Sequence, residues 1–187
     1  MGKIAIVTDS NSGITQDQAR ELGISVIPMP FYINEKLYLE GITLSQEEFY
    51  ERLKNDEAIS TSQPGPADVC GLWNTLLEKY DEVVHIPMSS GLSGSCMAAK
   101  GFAQEYEGKI FVVDNHRISV TMRQSVMKAK QLADQGLGGK EICERLESDA
   151  YNATIYVSVN TLEYLKKGGR ITPAVATIAT VLSIKPV

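Results

Sequence analysis

Pro87-Met88-Ser89-Ser90-Gly91-Leu92-Ser93-Gly94-Ser95 is the stretch that decides the fold of this 187-residue chain. It lies between a short apolar run, Val83-Val84-His85-Ile86, and a segment of small residues at 96–103. This order predicts a strand, a tight loop and a helix. Serine hydroxyls and unpaired N–H groups at the start of a helix attract an anion, and open α/β sheets bind ligands at the carboxyl ends of their strands. The alternative is that Ser93 or Ser95 only caps the helix.

Three more polar loops follow or adjoin strand-like runs. Asp9-Ser10-Asn11-Ser12-Gly13 ends the first run, and Asp114-Asn115-His116-Arg117 ends the run at 110–113. Between them, Ile59-Ser60-Thr61-Ser62-Gln63-Pro64-Gly65-Pro66 is interpreted as an ordered loop, with Pro66 in the first turn of a helix that ends near residue 79. These polar loops are expected to gather at one end of a sheet.

The fold class predicted is α/β, with a mostly parallel sheet covered by helices on both faces, because strand-like and helix-like segments alternate. Capping-box spacings of Thr15 with Gln18, and of Ser45 with Glu48, predict two helix starts. A small hairpin is expected over residues 31–39, with its turn at Asn34-Glu35.

The sequence pattern after residue 150 predicts a domain boundary. Residues 155–159 are interpreted as a last strand, and residues 162–167 as a short helix that Gly168-Gly169 ends. The segment at 173–182 is small and apolar almost all round, so it must be buried. Residues 1–160 are therefore expected to form one α/β domain, and 161–187 a linker helix and the beginning of a truncated second α/β domain.

The composition excludes several classes of function. With 43% hydrophobic and 22% charged residues and a net charge of −5, the chain is typical of a soluble globular protein without the basic face that a nucleic acid needs. The first apolar run is only four residues long, so we expect a cytoplasmic protein without stable membrane insertion. No set of His, Cys and carboxylate residues has the spacing of metal ligands.

Several motifs occur in a characteristic order: Thr8-Asp9-Ser10, Thr61-Ser62-Gln63-Pro64, the serine-glycine loop at 89–95, Asp114, Leu162-Glu163-Tyr164-Leu165-Lys166-Lys167-Gly168-Gly169-Arg170-Ile171 and Ile184-Lys185-Pro186. On these residues the sequence resembles the bacterial DegV family, and in particular the fatty-acid-binding subunit type of bacterial fatty acid kinase. Family members are usually longer, with a second α/β domain that supplies part of the acyl tunnel and a histidine near the carboxylate. Neither His85 nor His116 matches that histidine.

The resemblance implies a non-catalytic protein without a cofactor that encloses one long-chain fatty acid and presents it to a separate ATP-dependent kinase, which makes an acyl phosphate. It implies that the carboxylate meets Thr61, Ser62, Ser93 and Gly94, and that a partner docks near Lys166, Lys167 and Arg170. Further polar residues expected at the same pocket are Asp9, Ser10, Ser90, Asp114 and His116. Gly65 stands where the family often has Ser, and Ser95 where it often has Thr, both small changes.

Two other functions remain open from the residues alone. A serine hydrolase or acyltransferase would use Ser93 with His116, which lies two residues after Asp114, although the loop fails the G-x-S-x-G pattern at its last position. A phosphosugar or nucleotide binder would use the same polar loops, but neither G-x-x-x-x-G-K-[ST] nor G-x-G-x-x-G occurs. For single residues, the alternatives are a core role for His85, a turn role for Asp9 and a solvated helix end for the basic residues at 166–170.

Overall fold

The computed structural model describes residues 2–156, 158–159 and 161–172. In chain order its elements are β1 (Ile4–Asp9), α1 (Gln16–Leu22), β2 (Ser25–Ile27), β3 (Pro30–Ile33), β4 (Lys36–Leu39), α2 (Gln46–Lys54), β5 (Ile59–Thr61), α3 (Pro66–Leu77), β6 (Glu82–Ile86), α4 (Ser95–Ala103), β7 (Ile110–Val112), α5 (Ser119–Asp134), α6 (Gly139–Ser148) and α7 (Glu163–Lys167).

The central sheet has the strand order β2-β1-β6-β7, and every pairing in it is parallel. Its strands are short apolar runs that are buried on both faces, as parallel strands require. Val7 in β1 lies opposite Ser25 on one side and His85 on the other. The predicted α/β fold with a parallel sheet is therefore confirmed.

Helices cover both faces of this sheet. On one face, Ile6 and Val84 pack with α1, α5 and α6 through residues such as Val126 and Ile142. On the other face, Val7 and Val83 pack against α3 and α4 around Trp73, which is fully buried. Alternate residues of each strand belong to the two clusters, because successive strand side chains point to opposite faces. His85 and Asp9 therefore share the α3 and α4 side with Val7.

A second sheet is antiparallel with the order β4-β3-β5, and the sequence predicted only its hairpin. The hairpin of β3 and β4 turns at Asn34 and Glu35, as predicted, with positive φ angles of 49° and 65°. The correction concerns β5, which was interpreted as part of a loop. It is a three-residue strand in which Ser60 and Thr61 are polar and exposed, and its pairing with β3 makes it a strand.

The local helix signals are confirmed. The hydroxyls of Thr15 and Ser45 accept hydrogen bonds from the N–H groups of Gln18 and Glu48, in complete capping boxes. Pro66 begins α3, as predicted, and the helix ends at Leu77, close to the predicted end near residue 79. Neither Ser93 nor Ser95 is the N-cap of α4, because Gly94 occupies that position.

The last part of the chain differs from prediction in one respect. Residues 155, 156, 158 and 159 lie in no strand, so the predicted strand is wrong for the described part of that segment. Helix α7 is confirmed and is followed by Gly168 and Gly169. The predicted buried segment at 173–182, the Ile184-Lys185-Pro186 motif and the predicted start of a second domain lie outside the described residues. None of the described helices is long and apolar enough to cross a lipid bilayer.

Candidate functional site

The carboxyl ends of the four parallel strands meet at one edge of the central sheet. Asp9 lies opposite Ile27, Thr8 opposite Ile86, and His85 opposite Val112. Because these strand ends are aligned, the loops that follow β1, β6 and β7 are neighbours. The predicted gathering of polar loops is observed for these three.

The loop at 89–95 is held by hydrogen bonds within itself. Ser89 is buried, its hydroxyl accepts from the N–H of Gly91 at 3.2 Å, and its carbonyl accepts from Leu92 and Ser93 at 3.0 and 3.2 Å. The hydroxyl oxygen of Ser93 accepts from the N–H of Ser95 at 3.2 Å. This leaves the hydroxyl hydrogen of Ser93 available to donate, since no acceptor for it lies among the described residues.

The neighbouring loops fix the same loop from two sides. The N–H of Met88 donates to Oδ2 of Asp9 at 2.8 Å. The N–H groups of Ser89 and Ser90 donate to the carbonyl of Arg117 at 3.0 Å and to Oδ1 of Asp114 at 3.3 Å. The position of the loop therefore depends on residues that follow β1 and β7.

Asp9 is a buried carboxylate with a structural set of partners. Its Oδ1 accepts from the backbone N–H and the side-chain amide of Asn11, at 2.9 and 2.8 Å. Burial raises the pKa of Asp9 above its usual 3.8, although the hydrogen bonds from Met88 and Asn11 act in the opposite direction. The geometry assigns Asp9 to holding the loops together.

Asp114 and His116 lie side by side after β7, at the same edge of the sheet. Partial burial alone would raise the pKa of Asp114, but hydrogen bonds from Ser90 and the charge of His116 outweigh it and lower that pKa below 3.8. The Nδ1 atom of His116 lies 3.6 Å from Oδ1 of Asp114, and its ring stacks on Tyr151. Asp114 contacts the loop at 89–95 through Ser90, whereas His116 reaches that loop only through Asp114 among the described contacts.

The small antiparallel sheet brings a further loop to this edge. β3 begins three residues after β2 ends, Thr61 lies opposite Phe31, and the N–H of Ser62 donates to the carbonyl of Pro30 at 3.1 Å. A Cβ atom placed on Gly94 would lie 3.0 Å from Oε1 of Gln63. The loop at 61–65 therefore contacts the start of α4, where Ser93 and Gly94 lie.

The two loops together present hydroxyl donors without a cation. The hydroxyls of Thr61 and Ser93 donate no hydrogen bond within the described chain, and that of Ser62 donates only a long one, 3.3 Å, to the carbonyl of Gln63. Neither loop contains Lys or Arg. Neutral O–H donors at a helix start suit one anionic group that accepts several hydrogen bonds, such as a carboxylate.

Other predicted residues lie elsewhere. The hydroxyl of Ser10 donates to Glu40 and accepts from the N–H of Met29, so its hydrogen is already used. Lys167 pairs with Glu163 at 2.7 Å and lines a groove of about 640 Å³ with residues of β3 and β5 such as Tyr32 and Ile59. The structure does not bring Ser10 or the α7 cations to the hydroxyls of Thr61 and Ser93.

A small pocket lies beneath the loop at 89–95. Asp9, His85 and Ser95 line it, together with the apolar residues Ile27, Pro64, Val69, Pro87, Ala98 and Phe102. Its volume is about 10 Å³, whereas pockets for small-molecule ligands are about 300–1,000 Å³. This pocket is therefore too small for an acyl chain.

A nucleophile and base are not assembled from Ser93 and His116. No hydrogen bond joins these two side chains within the described residues, because His116 faces Asp114 and Tyr151. A serine nucleophile needs its base within hydrogen-bond reach. Within the same residues, no group of three or more His, Cys, Asp and Glu side chains is arranged to hold a metal ion.

Two residues that support the site were named from the sequence only as members of polar loops and not as site residues. Gln63, from the motif Thr61-Ser62-Gln63-Pro64, makes the contact with Gly94. Arg117 is buried, and its guanidinium donates to the hydroxyl of Ser125 at 3.1 Å and to Asp149. Those partners lie on α5 and just after α6, so no local pattern indicated them.

The sequence and the fold are both similar to those of known proteins. A family model described as "Uncharacterised protein, DegV family" matches residues 3–187. A DegV domain-containing protein of Deinococcus radiodurans is 36% identical over 184 residues, which cover 98% of this chain and 66% of that protein.

Two solved structures have the same fold. One concerns fatty acid binding of a DegV family protein from Thermus thermophilus, with 33% identity, a TM-score of 0.85, and coverage of 96% of this chain and 65% of that one. The other is DegV, a fatty acid binding protein from Bacillus subtilis, with 30% identity, a TM-score of 0.86, and coverage of 96% and 64%. The chain thus spans about two thirds of the length of the relatives it matches.

Proposed function

The chain belongs to the DegV family, and we propose that it binds a long-chain fatty acid, whose carboxylate is held by the hydroxyls of Thr61, Ser62 and Ser93 and by the backbone of Gly94. The observation that carries the proposal is the contact between Gln63 and Gly94. This contact supports the proposal because it joins two loops whose hydroxyls at Thr61 and Ser93 donate no hydrogen bond within the described residues, and no cation is needed to hold the anion.

The physical chemistry of a fatty acid fits this arrangement. A carboxylate that leaves water must have its hydrogen bonds replaced, and three hydroxyls and the start of a helix provide them. The relatives from Thermus thermophilus and Bacillus subtilis, which are described as fatty acid binding, share the fold at 33% and 30% identity. Each acyl methylene that is buried contributes about 0.8 kcal/mol, so most of the affinity comes from the chain.

The acyl chain requires a slot that the pocket beneath loop 89–95 does not provide. We propose that residues 1–160 form the domain that holds the carboxylate, and that residues 161–187 begin a second domain that completes the slot. In this arrangement the carboxylate lies at the boundary between the two domains. The remaining polar residues of the edge, Ser90, Asp114 and His116, support the loop that carries Ser93.

The proposal includes a partner protein. The protein would act as a carrier without catalytic activity of its own and present the carboxylate to an ATP-dependent fatty acid kinase, which forms the acyl phosphate. Lys166, Lys167 and Arg170 are exposed at the end of α7 and form the proposed docking surface. Lys167 pairs with Glu163 and Arg170 with the carbonyl of Gly168, whereas no ion pair of Lys166 lies among the described residues.

Mass spectrometry of the organic extract of the purified protein tests the proposal. We expect a stoichiometric fatty acid of long chain length in a version extended to the length of the relatives. Recovery from residues 1–187 as well would assign the slot to this part of the chain. If neither version yields a fatty acid, and neither takes one up when it is offered in solution, the proposed function is wrong.

A further inference from the structure

The pocket beneath loop 89–95 has a polar lining that the proposed carboxylate site does not use. It lies on the face of the sheet that α3 and α4 cover. Asp9 and His85 lie on this face because successive side chains of β1 and β6 point to opposite faces. Its volume of about 10 Å³ matches the space that one water molecule needs inside a protein. The question is what these polar groups bind.

Two of the lining groups have no hydrogen-bond partner within the described chain. His85 is 3% exposed, and both of its ring nitrogens are buried without a partner. The hydroxyl oxygen of Ser95 is also buried without one. Buried polar groups in proteins are almost always paired with protein or with ordered water. Two such groups on one small pocket indicate a shared partner inside it.

The donors and acceptors around the pocket match those of one water molecule. Burial lowers the pKa of His85 from 6.5 to about 3, so at neutral pH the imidazole offers one N–H donor and one acceptor nitrogen. Ser95 offers a hydroxyl that donates and accepts. Oδ2 of Asp9 accepts only from Met88 among the described hydrogen bonds, so it can accept one more.

We propose that this pocket is a specific binding site for one buried water molecule, which hydrogen-bonds to His85, Ser95 and Asp9. The water joins the ends of β1 and β6 to the first turn of α4. It thereby fixes Ser95, whose N–H donates to the hydroxyl oxygen of Ser93. The site lies directly under the loop that carries Ser93 and Gly94.

The same three residue types form hydrolase triads, but these three do not. No hydrogen bond joins His85 to Ser95 or to Asp9 within the described residues, and the ring nitrogens and the hydroxyl are closed to solvent. A nucleophile must reach both its base and its substrate. One water molecule can instead bridge a single ring nitrogen of His85, the hydroxyl of Ser95 and Oδ2 of Asp9, none of which bonds directly to another among the described residues.

The water site also has a consequence for the direction in which the acyl chain leaves the carboxylate. This consequence rests on the proposed function, whereas the water site itself does not. A hydrocarbon tail in this pocket would leave His85 and Ser95 without partners, which is unfavourable. The acyl chain is therefore directed away from the pocket, and only the carboxylate end lies near it.

A high-resolution crystal structure of the protein tests the site directly. We expect one density peak at about 2.7–3.2 Å from a ring nitrogen of His85 and from Oγ of Ser95. An empty pocket, or continuous density of a hydrocarbon chain, would overturn the proposal. Neither outcome depends on whether a fatty acid copurifies, so the test is separate from that of the proposed function.

Thermal unfolding of two variants at His85 gives an independent test. If the water is present, His85→Phe removes one of its hydrogen-bond partners and should lower the Tm by about 2–4 °C or more. His85→Gln keeps a donor and an acceptor, so it should lower the Tm less. If the imidazole has no partner at all, the apolar ring of His85→Phe raises the Tm instead, and the proposal is wrong. Should His85→Phe fail to fold, Ser95→Ala serves the same purpose: we expect a lower Tm, and an unchanged Tm contradicts the water site.

Discussion

Oδ2 of Asp9 accepts a hydrogen bond of 2.8 Å from the backbone N–H of Met88, 79 residues further along the chain. This single contact links the loop after β1 to the residue that leads into the loop at 89–95. Because Met88 is buried, its N–H has no access to bulk water.

We expect Asp9→Ala to lower the free energy of unfolding by about 1–3 kcal/mol, because it leaves the buried N–H of Met88 without an acceptor. Asp9→Asn keeps an acceptor oxygen and serves as the matched control, so its loss should be smaller. Urea unfolding followed by circular dichroism measures both. Equal losses in the two variants would show that the charge of Asp9, and not its hydrogen bond, is what stabilises the fold.

Stability should decrease as the pH falls from about neutral towards acid, because the pKa of His85 is about 3 in the folded protein and 6.5 is its usual value. The unfolded chain binds the proton first, so the contribution is complete above pH 6.5 and is lost on the way down to about 3. The slope from this one proton is at most about 1.4 kcal/mol per pH unit.

The control for this pH dependence is His85→Gln, which cannot titrate. Asp9 acts in the opposite direction, since its raised pKa in the folded state makes protonation there favourable. Comparing the two proteins at each pH cancels Asp9 and isolates the histidine. Parallel curves of unfolding free energy against pH would contradict the assignment.

Ser93→Ala should reduce the amount of fatty acid that copurifies with the protein, because it removes one of the proposed hydroxyl donors to the carboxylate. A hydrogen bond to a charged group is worth about 1.5–3 kcal/mol, so we expect the dissociation constant to rise about 10- to 100-fold. Titration with a fluorescent fatty acid measures it. Thr75→Ala removes an exposed hydroxyl on α3 that donates to Gly71 and should leave binding unchanged; equal effects of the two variants would place the carboxylate elsewhere.

Reversal of charge at Lys166 should slow docking of the proposed kinase partner. Lys166→Glu removes a cation of α7 and adds a like charge for an acidic partner surface, so we expect the association rate to fall about tenfold at low ionic strength. The difference should shrink in high salt, where exposed charges are screened. Lys140→Glu on α6 is the control, because Lys140 is exposed and its ion pair with Glu144 is long, 3.9 Å. The same rates for both variants would remove α7 from the docking surface.

Replacement of glycine by alanine should have opposite effects on stability at Gly139 and at Gly101. A Cβ atom on Gly139 would clash with the ring of Phe111, so Gly139→Ala should destabilise the protein by about 1–3 kcal/mol through overpacking. Gly101 in α4 has no neighbouring atom within 4 Å of such a Cβ, and Gly101→Ala should stabilise by about 0.5–1 kcal/mol. Thermal unfolding measures both, and a loss of stability in the second variant would contradict the packing of α4.

The features that were predictable from sequence are those that a few neighbouring residues determine. The caps at Thr15 and Ser45 and the turn at Asn34-Glu35 depend on side chains within one turn of the chain. The parallel fold followed from the alternation of elements. In contrast, β5 exists only because β3 provides its hydrogen bonds, and its polar residues resemble those of a loop.

The candidate site also has some features that were predictable from sequence and others that depend on tertiary packing. The proximity of Asp9, Ser90 and Asp114 was expected, because the ends of parallel strands share one edge. The approach of the loop at 61–65 to the loop at 89–95 was also expected, but the particular contact of Gln63 with Gly94 and the shared pocket of His85 and Ser95 depend on how α3 and α4 pack on the sheet. That packing is a tertiary property of Trp73 and its neighbours, and no short motif records it.

The long sequence separation across β1 and β6 has a consequence for how the protein is made. On the ribosome, β1 emerges early but has only β2 as a neighbour until β6 has been synthesised, whereas the hairpin of β3 and β4 closes within about ten residues. Contacts that join distant parts of a chain form slowly. The edge that carries Ser93 and Gly94 is therefore assembled late, after the hairpin, so ligand binding at the proposed site would report that the whole sheet is complete.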